Sequence, residues 1–469
     1  RRPENVKTVT TDCKPMADNR NPATAAAPPD PSSPSPPLDI RKIFDSFIII
    51  FNVFMIKIND IIRETFLKYL QEYFCLDEWG MRHIEHVFAV TFLLSSSIFG
   101  FLTDRFSRKY LIVFGVGVLN VSILCESFVS AYWIFLVLHA LETLGITCVY
   151  VVSLPMLGDL FVGDIRSRML CVYYLMRPLS RMIVLLVRTQ IQILLGSCWS
   201  SLRASFVVGV VNVVLGLLVL REPPRGEVDG RQMEVTPIEE DLKYLLRNRT
   251  YMMTTLALTA MACCQGALTT LFGTLLFDGL KINNPDLDPY VVSSIFELII
   301  HMSSIVGLLA AYLISRKLKE KYPRADPLMC SIALLTATPL AIITTYLSNK
   351  DQISTYVVLF FGNVCLNMIW AITMDICLGV VVPSRKGCAI GTTLFFAFGL
   401  GSTWSSDITK IVSDGLYHYY QSLEEHPDNK FYGLQHACFL SLVGLIVGAV
   451  LYFAASLSIP DDLKEAKGN

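Results

Sequence analysis

Apolar runs of near-membrane length recur along most of this 469-residue chain, and they constrain its fold more than any other feature. Clear examples are Val87–Leu102, Tyr110–Leu124, Phe206–Leu220, Ile305–Ile314 and Leu434–Leu457. A bilayer core of about 30 Å takes about 20 mostly apolar residues per helix, because a backbone in lipid must satisfy its own hydrogen bonds. Only 17% of residues are charged and 53% are apolar, whereas soluble chains are roughly a quarter charged. The expectation is an all-α polytopic membrane protein.

Hydropathy and helix breakers place spans at about 44–69, 84–103, 109–129, 132–160, 168–194 and 203–220. A second set falls at about 251–279, 289–315, 327–347, 354–381, 388–412 and 434–457. This divides the chain into a Pro/Ser/Ala-rich tail at 1–39, a six-helix bundle at 40–220, a linker at 221–250, a second six-helix bundle at 251–458 and a short tail at 459–469. The tail composition cannot bury a core, and Pro223 and Pro224 stop the sixth helix. Basic residues crowd one set of loops, among them Arg105, Arg108 and Lys109, Arg166 and Arg168, Arg316 and Lys317, and Arg385 and Lys386. The opposite loops are nearly bare, so the positive-inside bias puts the basic set and both termini in the cytoplasm.

The 13 cysteines are scattered through apolar runs without a C-x-x-C pair. They read as small packing residues, with no metal site and no disulfide framework. No nucleophile–base spacing and no phosphate loop point to an enzyme. Neither a cofactor nor a nucleic acid is expected.

Ionisable residues inside spans are costly in lipid and are functional candidates by default. In "KINDIIRETF", helical geometry puts Lys57, Asn59, Asp60, Arg63 and Glu64 on one half of the circumference. That is a cavity-lining continuation of the first helix, or an interfacial helix end. His139 and Glu142 are three apart and can pair, for transport or for structure. Arg177, Arg181 and Arg188 share one face of the fifth span and suit an anionic headgroup; the alternative is snorkelling from the helix ends. Glu297 and His301 are four apart, and Asn363, Asn367 and Asp375 share a polar side of the tenth span.

"GFLTDRFSRKY" joins spans two and three. There Gly100 permits a tight turn, and Asp104 can pair with Arg105 or Arg108 or sit near a helix N-terminus. The stretch closely resembles the loop signature G-x-L-x-D-R-x-G-R-K/R of the major facilitator superfamily, with Ser107 in place of a glycine. "DLFVGDIRSRML", "REPPRG", "YPRADPL" and "WAITMDI" are similar to the Spinster branch of that superfamily. The resemblance implies a major-facilitator-type fold of about 12 transmembrane helices in two six-helix bundles, working by alternating access. It marks Gly100, Asp104, Arg105, Arg108, Lys109, Asp159, Arg166 and Arg168 as a cytoplasmic gating motif. It also implies a lysolipid or phosphorylated sphingoid substrate, proton coupling in some members, and a lysosomal/endosomal or plasma membrane.

The cavity departs from the family pattern. The family's Asp-Arg of the first span is Asn59–Asp60 here, with Arg63 one turn on. Its fourth-span arginine and glutamate are His139 and Ile146, with Glu142 one turn before the lost acid. The favoured expectation is a diverged monomeric transporter of a lipid-like anion, its headgroup on Arg177 and Arg181, with protons carried by Glu142, Asp60 or Glu297. A carrier of a small organic anion and a non-transporting receptor or scaffold are the rivals.

Overall fold

A computed structural model describes residues 40–195, 198–223, 237–283, 286, 288–319, 321–424, 426 and 428–467; the side chains of 60–69, 78, 187–199, 201, 270, 283, 290 and 467 lie outside the described set. The first half consists of α1 (Ile40–Tyr73), α2 (Glu78–Arg105), α3 (Arg108–Glu126), α4 (Tyr132–Leu160), α5 (Gly163–Leu195) and α6 (Cys198–Leu218). A short helix, α7 (Ile238–Arg247), precedes the second half. That half comprises α8 (Arg249–Asn283), α9 (Pro289–Lys319), α10 (Ala325–Leu347) and three rods of broken helix. The broken rods are α11 (Gln352–Asn367) with α12 (Ile369–Val380), then α13 (Lys386–Leu394) and α14 (Thr403–Leu423) joined by a π-helical stretch at Phe395–Ser402, then α15 (Asn429–Ser441) with α16 (Val443–Lys467). Among the described residues no strand occurs, and nine helical stretches are long and apolar enough to cross a membrane.

Helix α1 settles one question raised by the sequence. It runs unbroken through "KINDIIRETF" to Tyr73, so the charged stretch continues the helix and does not end it. Start signals are local: Asp77 accepts from the Gly80 N–H at 2.8 Å to begin α2, and Asp351 accepts from the Ser354 N–H at 3.0 Å to begin α11. Helix α16 extends to Lys467, and Asp462 on it accepts from the Thr250 N–H at 2.7 Å, so residues after 458 pack against the start of α8.

Small residues let these helices approach closely, as packing in lipid requires. A Cβ on Gly145 of α4 would fall 2.5 Å from the Gly115 carbonyl oxygen of α3 and 2.8 Å from the Leu119 nitrogen. Gly145→Val is expected to cost about 1–3 kcal/mol by overpacking. It should lower the thermal unfolding midpoint in detergent, and an unchanged midpoint would refute the α3–α4 contact. Gly100 differs from its sequence reading. It lies inside α2, not in a turn, and its Cβ position is 2.9 Å from the Gly391 Cα of α13. Its smallness serves contact between the halves.

Candidate transport cavity and gates

At the end carrying the basic loops, buried ion pairs and hydrogen bonds tie the two halves together. Asp104 accepts from the Gly387 and Cys388 N–H groups at 2.8 and 2.7 Å, so it caps α13 from across the interface. Arg108, fully buried, donates to Asp159 and to the Pro155 carbonyl and has Asp104 at 3.8 Å. Lys386 of the second half reaches the same Asp159 at 3.2 Å. Lys109 spans less, donating to the Leu217 carbonyl at 2.7 Å within its own half.

A second clasp centres on Asp375 of α12. Its carboxylate accepts from Arg166 Nε at 2.6 Å, Ser167 Oγ at 2.7 Å and Lys319 Nζ at 2.6 Å. Arg168 donates to the Tyr312 hydroxyl at 3.1 Å and pairs with Asp164 at 3.4 Å. A third clasp was not read from sequence: Asp241 of α7 accepts from Arg105 at 3.0 Å and from Arg385 at 2.8 Å, one arginine from each half.

Farther in, aromatic rings pack across the halves. Trp370 of α12 stacks on Phe398 of the π-helical stretch at 5.1 Å, and Phe92 of α2 meets Phe398 at 5.7 Å. Tyr174 of α5 lies 6.3 Å from Trp370, whose Nε1 donates to Gln265 at 3.0 Å. Phe398 lies within the π-helical stretch, a feature that often occurs at functional sites. Arg177 and Arg181 sit near the middle of the 33-residue α5. His301, near the middle of the 31-residue α9, faces both closely enough to feel their charges. Arg177 is exposed, while Arg181 and His301 are half-buried. Lys57 of α1 lies over the Tyr150 ring at 5.0 Å.

Toward the opposite end, His139 Nδ1 and Glu142 Oε2 are 3.1 Å apart, both buried. Glu126 joins them, with ligand atoms of the three within 4.8 Å of one another. Such a group can share a proton or a cation. His86 of α2 contacts Asp407 of α14 at 3.1 Å, its ring stacked on Trp404 at 5.5 Å. A double-mutant cycle of His86→Ala and Asp407→Ala should give a coupling of about 0.2–1 kcal/mol, as for other half-exposed pairs. Zero coupling in thermal unfolding would remove this contact from the account.

A family model of the Major Facilitator Superfamily matches residues 49–406. Protein spinster homolog 3 of Danio rerio is 30% identical over 409 residues, covering 85% of this chain and 81% of that protein. The chain belongs to the Spinster branch of the major facilitator superfamily. Protein spinster of Drosophila melanogaster is 31% identical over 336 residues, which cover 71% of this chain but only 55% of the fly protein. In fold, the chain is similar to a bacterial homologue of the human lysosomal transporter Spinster, with TM-score 0.59, 14% identity, and coverage of 92% and 99% of the two chains. It is also similar to the transporter FucP, with TM-score 0.67, 12% identity, and coverage of 90% and 99%. It is an integral multi-pass membrane protein of a superfamily of transporters, not enzymes.

Within this Spinster-like chain the sequence-derived candidates separate into groups. Arg177 and Arg181 lie within electrostatic range of His301, and His139 and Glu142 are in direct contact. Among the described residues no hydrogen bond or ion pair joins Glu297 and His301, despite their i, i+4 spacing on α9. Asn363 is buried and donates to Ser303 Oγ at 2.6 Å and the Ile300 carbonyl at 2.9 Å. Asn367 donates to Asn363. Asp375, grouped with them by helical face, sits instead in the clasp at the basic end, three turns away. Asn59 accepts from the Ser205 hydroxyl of α6. Asp60, Arg63, Glu64 and Arg188 lie outside the described side chains.

Proposed function

We propose that this chain is an alternating-access carrier of an amphipathic, lipid-like anion, with its headgroup at Arg177, Arg181 and His301. The observation that carries this reading is that α5 packs against α9, with two mid-helix arginines of one half within electrostatic range of a histidine of the other. Cations held in the membrane interior are expensive unless they meet an anion, and guanidinium groups favour phosphate by paired donation. A ligand bridging α5 and α9 would also sense the two halves rocking, as a coupled site must. His139, Glu142 and Glu126 form a buried group suited to holding a proton during the cycle. The basic loops are assigned to the cytoplasm, with both termini there, and the working unit to the monomer. The membrane is lysosomal/endosomal or plasma membrane.

Between α8, α9, α10 and α11 lies an apolar cavity of about 40 Å³ lined by residues including Leu268, Phe272, Phe296 and Leu359. It has room for about three water molecules, so an alkyl chain must lie along the interface between halves or enter after rearrangement. Competition in reconstituted vesicles tests the lipid-like character. Single-chain lipid phosphates should inhibit uptake more strongly as the chain lengthens, while inorganic phosphate and glycerol phosphate should not. Equal inhibition by headgroup-only compounds would instead favour a small organic anion.

A further inference from the structure

Helix α7 presents three distinct sectors. Asp241 and Leu245 are buried and Tyr244 is half-buried. Ile238, Leu242 and Leu246, one turn apart, are 48%, 45% and 59% exposed. Glu239, Glu240, Lys243 and Arg247 are exposed on the third sector. At about 100° per residue, the exposed apolar stripe falls between the protein-facing sector and the charged one. The buried sector is firmly held. Asp241 joins Arg105 and Arg385, the Arg385 guanidinium lies 4.6 Å from the Tyr244 ring centre, and Asn248 Nδ2 donates to the Val380 carbonyl at 2.8 Å. The spanning helix α8 starts at Arg249, directly after Asn248. The exposed apolar stripe therefore lies on the segment that leads directly into a membrane-spanning helix.

We propose that α7 is an interfacial latch. Its Ile238–Leu242–Leu246 stripe beds into the headgroup–acyl boundary of the bilayer, while Asp241 holds one arginine of each half. Apolar residues on one side and charges on the other are what a helix lying in that boundary requires. The charged sector is balanced, with Glu239 and Glu240 against Lys243 and Arg247, so the apolar stripe carries the membrane contact. Because the stripe and Asp241 share one rigid helix, separating Arg105 from Arg385 must either break a pair or tilt α7 in the lipid. The bilayer thereby favours the sealed form at the basic end. This inference does not depend on which substrate is carried.

The test places photoreactive benzoylphenylalanine at position 242, 246 or 243 in the full chain, reconstituted in vesicles of phosphatidylcholine and phosphatidylserine. Lipid adducts at 242 and 246 should exceed those at 243 by about fivefold, as expected for a face buried in the boundary. Equal lipid yield at all three positions, or crosslinks from 242 and 246 to residues 1–39 or 224–236, would overturn the proposal. Leu246→Glu supplies a readout of latching, because that side chain is exposed. In the same vesicles it should raise the alkylation rate of Cys388, which is buried behind the Asp104 clasp, severalfold. An unchanged rate would overturn the latch.

Discussion

Asp375→Asn is expected to unseal the basic end. The carboxylate is 3% exposed and holds Arg166, Ser167 and Lys319 at 2.6–2.7 Å, joining α5 of one half to α9 and α12 of the other. Asparagine keeps the shape and can still accept from Ser167, but it removes the charge that compensates Arg166. Lys319 retains Asp326 at 2.9 Å and is 40% exposed, so water and that partner absorb much of its loss. Arg166 has 11% exposure and no such relief. Breaking one partner of a buried pair costs about 3–5 kcal/mol, and the lower end applies here. If that cost falls on the sealed form, about 3 kcal/mol shifts the balance toward the open form about a hundredfold. Site-mapped alkylation of Cys388 by a membrane-impermeant maleimide should rise accordingly. A rate equal to the wild type would mean that Asp375 does not hold the halves together.

The second large effect is expected at the arginine pair. Arg181→Ala should lower affinity for a single-chain lipid phosphate by about 10–150-fold, the equivalent of a lost charge-assisted hydrogen bond of about 1.5–3 kcal/mol. Arg177→Ala should do the same, and Arg181→Lys should recover only part, because a point charge replaces a planar fork. Competition binding on the purified protein measures this directly. A purely structural role would lower thermal stability and leave the affinity of the surviving folded protein unchanged.

Helical rods and their breakers were legible in the sequence because hydropathy and proline act locally. The sequence also carried the Asp104–Arg108 clasp, through its motif, and the His139–Glu142 pair, through its i, i+3 spacing. What it hid depends on contacts between distant segments. His86 and Asp407 are 321 residues apart, and Asp241 lies 136 and 144 residues from its two arginines. Glu126 sits at the end of α3, where a carboxylate reads as a helix terminus, yet it is buried beside His139 and Glu142. Helical-face reasoning misplaced Asp375 for the same reason. Asp375 shares a face with Asn363 and Asn367 on its own rod, but Arg166 of α5 and Lys319 of α9 draw it into a clasp.

Flux of a defined substrate tests the central claim most directly. Purified protein in proteoliposomes would be offered a single-chain sphingoid phosphate or lysophosphatidate, and the same lipid without its phosphate, with and without a pH gradient. The account predicts saturable movement of the phosphorylated lipid by the wild-type protein, little movement of the neutral form, and a flux through Arg181→Ala at least about tenfold lower at limiting substrate. No movement of either lipid under any gradient, or equal flux through wild type and Arg181→Ala, would contradict it.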